Sequence, residues 1–405
     1  MTSQGAGAVG TRGALPRRRF LALAMAAGAG AAAGCARIGP GAGGNTVLKV
    51  VGTGLRWAGQ PFEAAGANVW QLQDYFCPGA GSFVAGGTTW HPGDPGDPAR
   101  GVRVLQGAAA YGLHVIRFIA GGWNPAWLHY WQTEPEKWWS AHDQMMAAAQ
   151  QAGIHLIPSL VWHALPFAVA TGEVHSAVFT PGTAAHALML KFVQEYVGRY
   201  RHHPSVLMWE LGNEWNLNTG RGPADTQYFS NTTQLAAAFG NLVGVIKAVD
   251  PEHLVTSGCA SPPYGTGPGE AFSLNGQAEA FVAVNQHVDV ACVHVYPDTD
   301  LLTAAKIGTY LATLAEAARN DLRKPLMVGE FGENYTQHPQ ATFVRNVLAS
   351  WSAGTFPLAL VWSWMAAPSS GTAQLDVSVD PTLRPEIADL FRTYAGKHPW
   401  PALSP

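Results

Sequence analysis

Short apolar runs rich in β-branched and aromatic residues alternate along most of the chain with longer segments whose apolar residues recur every three or four positions. The short runs predict strands, and the longer segments predict helices that bury one face. A hairpin is expected first, over residues 47–51 and 57–63. Eight further strands are then predicted at residues 65–70, 114–120, 155–162, 206–212, 254–258, 288–296, 325–330 and 358–364.

The predicted strands are apolar throughout, and each is followed by a helical segment. This pattern is typical of a parallel sheet that is covered on its outer side. Eight such repeats predict an α/β fold, a single (β/α)8 TIM barrel with enlarged βα loops. The long loops are residues 71–98, 121–135 and 260–273. An open doubly wound sheet is the alternative, although no glycine-rich phosphate fingerprint follows the first strand.

The N-terminal segment has the features of an export signal. Three arginines, Arg17–Arg19, precede Phe-Leu and an Ala-rich apolar run, which predicts a twin-arginine signal peptide over residues 1–35. Ala33-Gly34-Cys35 resembles a lipobox, so Cys35 is expected to carry a lipid that tethers the protein to the membrane; ordinary cleavage nearby is the alternative. Residues 36–46 are then a flexible tether, residues 47–405 form the barrel domain, and the protein is secreted or extracytoplasmic.

Composition excludes several classes of protein. Hydrophobic residues make up 47% of the chain and charged residues 13%, which allows a large buried core. The formal net charge of −3 gives no electrostatic reason to expect a nucleic-acid partner. Beyond Cys35 there are three cysteines, and Cys259 and Cys292 fall on consecutive strands as either a disulfide or two buried thiols. No cysteine or histidine cluster has zinc spacing, so no metal or cofactor is expected. The protein is expected to be a monomer.

Polar and aromatic residues collect where the predicted strands end, which is where a TIM barrel carries its chemistry. Glu214 follows the fourth strand and Glu330 ends the seventh, on opposite sides of the barrel. Two carboxylates so placed can act as acid and nucleophile on a glycosidic bond. The other residues at strand ends are Asn68, Trp70, Arg117, Trp162, His163, Asn213, His294, Tyr296, Trp362 and Trp364.

The order of these motifs is similar to that of clan A glycoside hydrolases. Within them the chain resembles family 5, the cellulase and β-mannanase group, over about residues 47–394. The resemblance implies a retaining hydrolase that cleaves a β-1,4-linked mannan or glucan, as polysaccharide or oligosaccharide, without a cofactor. One departure is Trp215, where many members have proline, and we expect it to reshape the loop on the leaving-group side.

Carried over by position, the resemblance implies that Glu214 is the general acid/base and Glu330 the nucleophile. Arg117 and Tyr296 would keep Glu330 ionised, and Asn213 would donate to the sugar 2-hydroxyl. Trp364 would form the floor under the reacting sugar, with Trp362 as the alternative. Three further residues would contact the substrate or support the site: His163, His294 and Asn68.

Several neighbouring residues have more than one interpretation. Glu333 is a rival for the nucleophile, whereas Glu210 points into the barrel and is interpreted as structural. Arg117 could serve Glu210, Glu330 or both. The remaining open cases are Trp123 and Trp127 as sugar platforms or core, Trp138 as core, and Asp298 as a cleft residue or helix cap.

Three other functions are considered. A non-catalytic carbohydrate-binding lipoprotein would keep the tryptophans but have little need of both carboxylates. An exo-acting β-glycosidase would use the same residues on short oligosaccharides. A metal-dependent hydrolase would need clustered ligands, and the strand ends carry only scattered histidines.

Overall fold

The computed structural model describes residues 47–77, 82–85, 87–90, 96–220, 223–261, 274–297, 303–366 and 372–397, which all belong to one compact unit, Asn45–Pro405. The predicted signal peptide, Cys35, the tether and Asp298 lie outside the described residues. So does most of the loop predicted at residues 260–273.

Eight parallel strands form the centre of this unit, and each overlaps a predicted strand. They are β1 (Ala64–Asn68), β2 (Val115–Ile119), β3 (His155–Val161), β4 (Met208–Gly212), β5 (Leu254–Thr256), β6 (Ala291–Val295), β7 (Leu326–Phe331) and β8 (Leu358–Val361).

The strands are hydrogen-bonded in the order β5-β4-β3-β2-β1-β8-β7-β6. Two parallel bridges, Thr256–Val290 and Ala260–His294, join β5 to the β6 side and bring the sheet close to full closure. The predicted TIM barrel is confirmed, and the open doubly wound alternative is wrong. The C-terminal ends of all eight strands therefore meet at one mouth.

One helix follows each strand and covers the outside of the barrel. These helices are α1 (Pro98–Ala110), α2 (Pro135–Gln151), α3 (Ala184–Tyr200), α4 (Thr232–Val249), α5 (Leu274–Asn285), α6 (Ile307–Ala317), α7 (Thr342–Ser352) and α8 (Pro385–Ala395). Side chains cap several of them: Asp97 accepts from a backbone N–H at the start of α1, and Asn231 does so at the start of α4. By length and composition alone α4 could cross a membrane, but it packs on the barrel through Leu235 and Phe239.

The opposite end of the barrel is closed by an apolar layer. The predicted hairpin is a three-stranded antiparallel sheet, Lys49–Val51, Gly54–Trp57 and Gln60–Pro61. Its Trp57 packs edge-on against His155 at 4.8 Å between ring centroids. Because this end is filled by side chains, chemistry is confined to the other mouth.

The enlarged loops carry structure of their own. The loop after β1 contains the helix Leu72–Phe76 and a small hairpin, and the loop after β2 contains the helix Pro125–Thr133. The helix Leu165–Thr171 follows β3, and a short helix, Thr372–Asp376, follows β8. These insertions rise around the barrel mouth.

Candidate active site

Arg117, on β2, is the centre of the hydrogen-bond network at the mouth, and it is fully buried. Its Nε donates to Glu210 Oε2 at 2.7 Å, and its Nη2 donates to Asn213 Oδ1 at 2.8 Å. Its Nη1 donates to both Asn68 Oδ1 at 2.9 Å and Glu330 Oε1 at 2.5 Å. Arg117 therefore serves both carboxylates, which settles the alternatives that the sequence leaves open.

Two neighbours fix the guanidinium in place. The Asn68 amide donates to the carbonyl of Gly329 at 2.9 Å, so its oxygen is turned toward Arg117. The Trp162 ring lies against the guanidinium at 4.6 Å, a cation–π contact. Trp162 is a strand-end residue, but nothing in the sequence indicated that its ring would pack against Arg117.

Glu330, on β7, is buried and hydrogen-bonded on both oxygens. Besides the Arg117 contact, Oε2 accepts from the Tyr296 hydroxyl at 2.6 Å. Burial is the largest influence and raises the pKa of Glu330 above its usual value, with the Glu214 charge adding to the rise; His294, Arg117 and Tyr296 oppose it. Both expected partners of Glu330, Arg117 and Tyr296, are present, and both act against the effect of desolvation on its pKa.

Glu214 follows β4 in a left-handed backbone conformation, with φ 52° and ψ 34°. For a non-glycine residue this conformation costs about 1–2 kcal/mol, and a backbone hydrogen bond from its N–H to the Gly258 carbonyl, at 2.8 Å, holds it. The side chain is 25% exposed. Burial raises the pKa of Glu214, and the charge of Arg117 opposes the rise.

His294, on β6, lies between the two carboxylates. Its Nδ1 is 3.0 Å from Glu214 Oε1 and 3.4 Å from Glu330 Oε1. These three atoms all lie within 4.8 Å of one another. Burial lowers the pKa of His294 to about 4, so the ring is neutral near pH 7.

Trp215 turns away from the cleft into the core. Its ring stacks on Phe239 of α4 at 5.3 Å, and its Nε1 donates to the Val161 carbonyl at 3.0 Å. A Cβ on Gly212 would lie 2.2 Å from this ring, so glycine is required there. Trp215, which replaces the proline of many family members, thus fills the barrel wall behind Glu214. We expected this residue to change the loop on the leaving-group side.

Trp362, rather than Trp364, lies at the barrel mouth. Trp362 stacks on Trp162 at 6.2 Å, and Gln374 accepts a hydrogen bond from its Nε1 at 3.2 Å. Trp364 is 1% exposed and packs on Tyr111 at the end of α1, outside the barrel. Our prediction of Trp364 as the sugar floor is wrong. The reason is that β8 ends at Val361, so the alternation of side chains does not continue to residue 364.

An aromatic wall extends from the carboxylates into the loops, and Trp123 is its exposed member. The Trp123 ring is 36% exposed and lies 5.4 Å from Trp70 and 5.6 Å from His163. His163 is thus a residue of this aromatic wall. Within the described part of the chain, no contact joins His163 to Glu214 or Glu330. Trp127 is buried against Trp138, so both are core residues and Trp127 is not a platform.

The remaining candidates lie outside the cluster of Glu214, His294 and Glu330. Glu333 Oε1 accepts from the backbone N–H of Val344 at 3.0 Å, so Glu333 caps α7 and does not compete with Glu330. Cys259 and Cys292 are free buried thiols, which excludes a bridge between them.

Two groups of metal-capable side chains occur among the described residues, Glu210-Cys292-His294 and Glu214-His294-Glu330. Sequence spacing did not reveal them, because their members come from different strands. In each group a carboxylate is already paired with Arg117, and this cation would repel a metal ion.

Two carboxylates that face each other across the mouth of a TIM barrel place the protein among the O-glycosyl hydrolases. The family model for cellulase, glycosyl hydrolase family 5, matches residues 87–367, and the chain belongs to this family.

Among its relatives, mannan endo-1,4-beta-mannosidase 2 of Oryza sativa subsp. japonica is 26% identical over 383 residues, covering 82% of this chain and 80% of that protein. Mannan endo-1,4-beta-mannosidase 1 of Solanum lycopersicum is 26% identical over 320 residues, covering 67% of this chain and 76% of that protein. The crystal structure of the endo-1,4-beta-mannanase from Rhizomucor miehei superposes with a TM-score of 0.62 at 18% identity, covering 86% of this chain and 100% of that one.

Proposed function

We propose that the protein is a retaining endo-β-1,4-mannanase in which Glu214 is the general acid/base and Glu330 the nucleophile. The observation that carries this proposal is the close approach of the two carboxylates, whose nearest oxygens lie within 4.8 Å of each other. Retaining glycosidases hold their carboxyl groups about 5–5.5 Å apart, whereas inverting enzymes need a wider gap for a water molecule. The mannanase names of the relatives support mannan as the substrate.

The different surroundings of the two carboxylates support their different roles. Glu330 accepts hydrogen bonds from a cation, Arg117, and from Tyr296, and both favour its ionised form. Among the described residues, the one side-chain hydrogen-bond partner of Glu214 is the neutral His294, and burial raises the pKa of Glu214. A pair of carboxyl groups with unequal surroundings can hold one proton on one member, as acid catalysis requires.

The proposed reaction takes two steps. Glu214 gives its proton to the glycosidic oxygen as the bond from that oxygen to the anomeric carbon breaks, and a Glu330 oxygen bonds to the same carbon. A water molecule then attacks this carbon and gives a proton to Glu214, while the bond to Glu330 breaks. Asn213 is held by Arg117 through its oxygen, which leaves its amide nitrogen to donate to the sugar 2-hydroxyl.

Aromatic side chains would hold the polymer on either side of the scissile bond. Trp362 lies beside Trp162 and is only partly buried, so it suits the floor of the reacting sugar. Trp123 offers an exposed ring farther along the wall. Sugar rings present apolar faces that stack on such rings.

We also propose that the protein works outside the cytoplasm, as a monomer. The twin-arginine pattern of Arg17–Arg19 supports export, and Cys35 supports a lipid tether. A polymeric substrate would be met in that compartment.

The decisive experiment is reducing-sugar release by residues 36–405 from mannan, glucomannan, carboxymethyl cellulose, laminarin and xylan. We expect release from mannan and glucomannan, and at least about a 1,000-fold loss in Glu330→Ala and Glu214→Ala. Glu136→Ala, which removes an exposed carboxylate on α2, is the matched control and should keep full activity.

Product analysis separates the alternatives. Proton NMR should show the β-anomer first, as retention requires, and a first-formed α-anomer would exclude Glu330 as nucleophile. With an aryl β-mannoside, whose leaving group departs without a proton, azide should restore turnover in both alanine variants. The product should be an α-glycosyl azide from Glu330→Ala, where azide replaces the nucleophile, and a β-glycosyl azide from Glu214→Ala, where azide attacks the glycosyl-enzyme in place of water. Release from short oligosaccharides alone would indicate an exo-enzyme, and binding without any release would indicate a carbohydrate-binding protein.

A further inference from the structure

Two buried polar atoms beneath the catalytic pair have no hydrogen-bond partner within the described residues. One is Oε1 of Glu210, and the other is Nε2 of His294. Both side chains are at most 1% exposed, so bulk solvent does not reach either atom. Buried polar atoms of this kind are nearly always satisfied in folded proteins, which makes this pair a structural signal.

The two side chains belong to one small cluster. A carboxylate oxygen of Glu210, a ring nitrogen of His294 and the Cys292 thiol sulfur lie within 4.8 Å of one another. The other oxygen of Glu210 is occupied by Arg117 at 2.7 Å. Oε1 lies on the side of Gly258, which follows β5 and where an added Cβ would be 2.8 Å away, so this oxygen is turned away from Arg117.

We propose that Glu210 is a positioning residue, which holds His294 in the neutral form protonated on Nε2, so that Nδ1 accepts the proton of Glu214. The Nε2–H group donates toward Glu210 Oε1 through one buried water molecule, for which the Cys292 thiol is a third partner. Three polar groups that lie within 4.8 Å of one another can share one water, and buried waters commonly make about three hydrogen bonds. This inference rests on the proposed role of Glu214 as the acid.

The opposite tautomer satisfies the site less well. With the proton on Nδ1, an imidazole lone pair would face the negatively charged Glu210 instead of an N–H group. Glu214 would then have no side-chain acceptor for its own proton among the residues that the structure describes. The shorter of the two Nδ1 distances, 3.0 Å to Glu214 against 3.4 Å to Glu330, agrees with Glu214 as the partner.

The arrangement has a consequence for catalysis. A neutral acceptor opposite Glu214 stabilises its protonated form in the free enzyme, before the glycosidic oxygen arrives. The other titratable or charged groups that face Glu214 from the surrounding strands are Arg117 on β2, Cys259 after β5, Tyr296 after β6 and Glu330 on β7. Among the described residues, no hydrogen bond joins the Glu214 side chain to any of these groups, whereas His294 Nδ1 lies 3.0 Å from its Oε1.

The direct test is neutron diffraction from crystals of the wild-type protein, residues 36–405, near neutral pD. We expect deuterium on Nε2 of His294 and on the Glu214 oxygen that faces Nδ1. Deuterium on Nδ1 of His294 would overturn the proposal. This measurement needs no turnover, so a protein that cleaves no glycan would refute the proposed function and leave the tautomer assignment standing.

A variant gives an independent reading. In Glu210→Gln the amide oxygen can still accept from Arg117, but the negative charge that favours an N–H group at Nε2 is gone and the NH2 group lies on that side, so the form protonated on Nδ1 is favoured. Nδ1–H then donates to Glu214 and favours its ionised form. The apparent pKa of the basic limb, in the profile of kcat/KM against pH, should therefore fall by about one unit. The corresponding pKa in the profile of kcat against pH, which reports the enzyme–substrate complex, should move less.

The matched control is Glu333→Gln, which makes the same change in a buried carboxylate outside the cluster and should leave the limb in place. An unchanged limb in Glu210→Gln would overturn the positioning role. If that variant does not fold, the neutron map of the wild-type protein decides alone.

Discussion

Arg117 is the only cation in contact with both Glu210 and Glu330 among the described residues, and its removal should therefore cost stability as well as activity. We consider Arg117→Met, which keeps an unbranched chain against Trp162 but removes the charge and four hydrogen bonds. Both carboxylates stay in place, at 0% and 5% side-chain exposure.

The expected loss of folding stability follows from leaving the carboxylates of Glu210 and Glu330 buried without their cation. Breaking a buried ion pair by removing one partner costs about 3–5 kcal/mol. A protein of ordinary stability has about 5–15 kcal/mol in total, so the variant should lose a large fraction of it. The control is Arg103→Met, because Arg103 pairs with Asp97 at 3.5 Å with more than half of each side chain exposed. An exposed pair contributes about 0–1 kcal/mol.

The cost should also depend on pH. In Arg117→Met the buried Glu330, whose pKa burial raises, loses an opposing positive charge, so it holds its proton more tightly in the folded state than in the unfolded chain, where glutamate titrates near pH 4.3. Because the folded state then binds more protons, stability falls as pH rises. The deficit relative to wild type should be smallest near pH 4 and grow toward pH 7.

Urea unfolding followed by tryptophan fluorescence, at steps between about pH 4 and pH 8, measures this deficit. A loss below about 1 kcal/mol at pH 7, or one that does not change with pH, would refute the reasoning. A loss equal to that of Arg103→Met would do the same. Adding Glu210→Met to Arg117→Met should recover part of the stability, because one stranded charge is gone.

Three further outcomes are expected. Glu214→Gln should be more stable than wild type at pH 7, by about 0.5–2 kcal/mol in thermal unfolding. Burial raises the folded pKa of Glu214, so the stability that its protonated form gives is lost as pH rises through that pKa, and equal stability at pH 7 would contradict this. Trp362→Ala should raise KM for mannan by about 3–10-fold with little loss of stability. Trp364→Ala should instead cost about 3–5 kcal/mol of stability and leave KM nearly unchanged. Thermal unfolding and initial rates measure these effects, and the reverse pattern would restore Trp364 as the floor of the sugar site. Cys35→Ala should move the protein from the membrane fraction to the soluble fraction on immunoblots, and no movement would indicate ordinary cleavage.

The fold could be predicted closely from the sequence because a parallel barrel buries both faces of every strand. Each strand is therefore a continuous apolar run, and each helix shows one apolar stripe, as on α2 with Trp138, Met145 and Ala149. The strand bounds were less accurate at their C-terminal ends, as for β8, predicted to residue 364 and observed to end at Val361.

The positions of Glu214 and Glu330 at the barrel mouth were predictable for the same reason, since their strands run straight to the mouth. Residues beyond a strand end were not, and Trp364 is the example: once the chain leaves the sheet, alternation no longer says which way a side chain points. Which partner Arg117 would take was also undecided, because three strands supply acceptors at the same depth. The direction of the pKa shift at Glu330 could not be predicted either, because it depends on the burial of this residue, which only the folded structure shows.

The packing of Trp215 against Gly212 has an evolutionary consequence. The indole fills the space that a side chain at residue 212 would occupy, and it also hydrogen-bonds to the neighbouring strand. A mutation to proline at 215 alone would open a cavity beside β4, and a larger residue at 212 alone would collide with the ring. The two positions should therefore change together or not at all, so a lineage that acquired this tryptophan would be held to it by the glycine beside it.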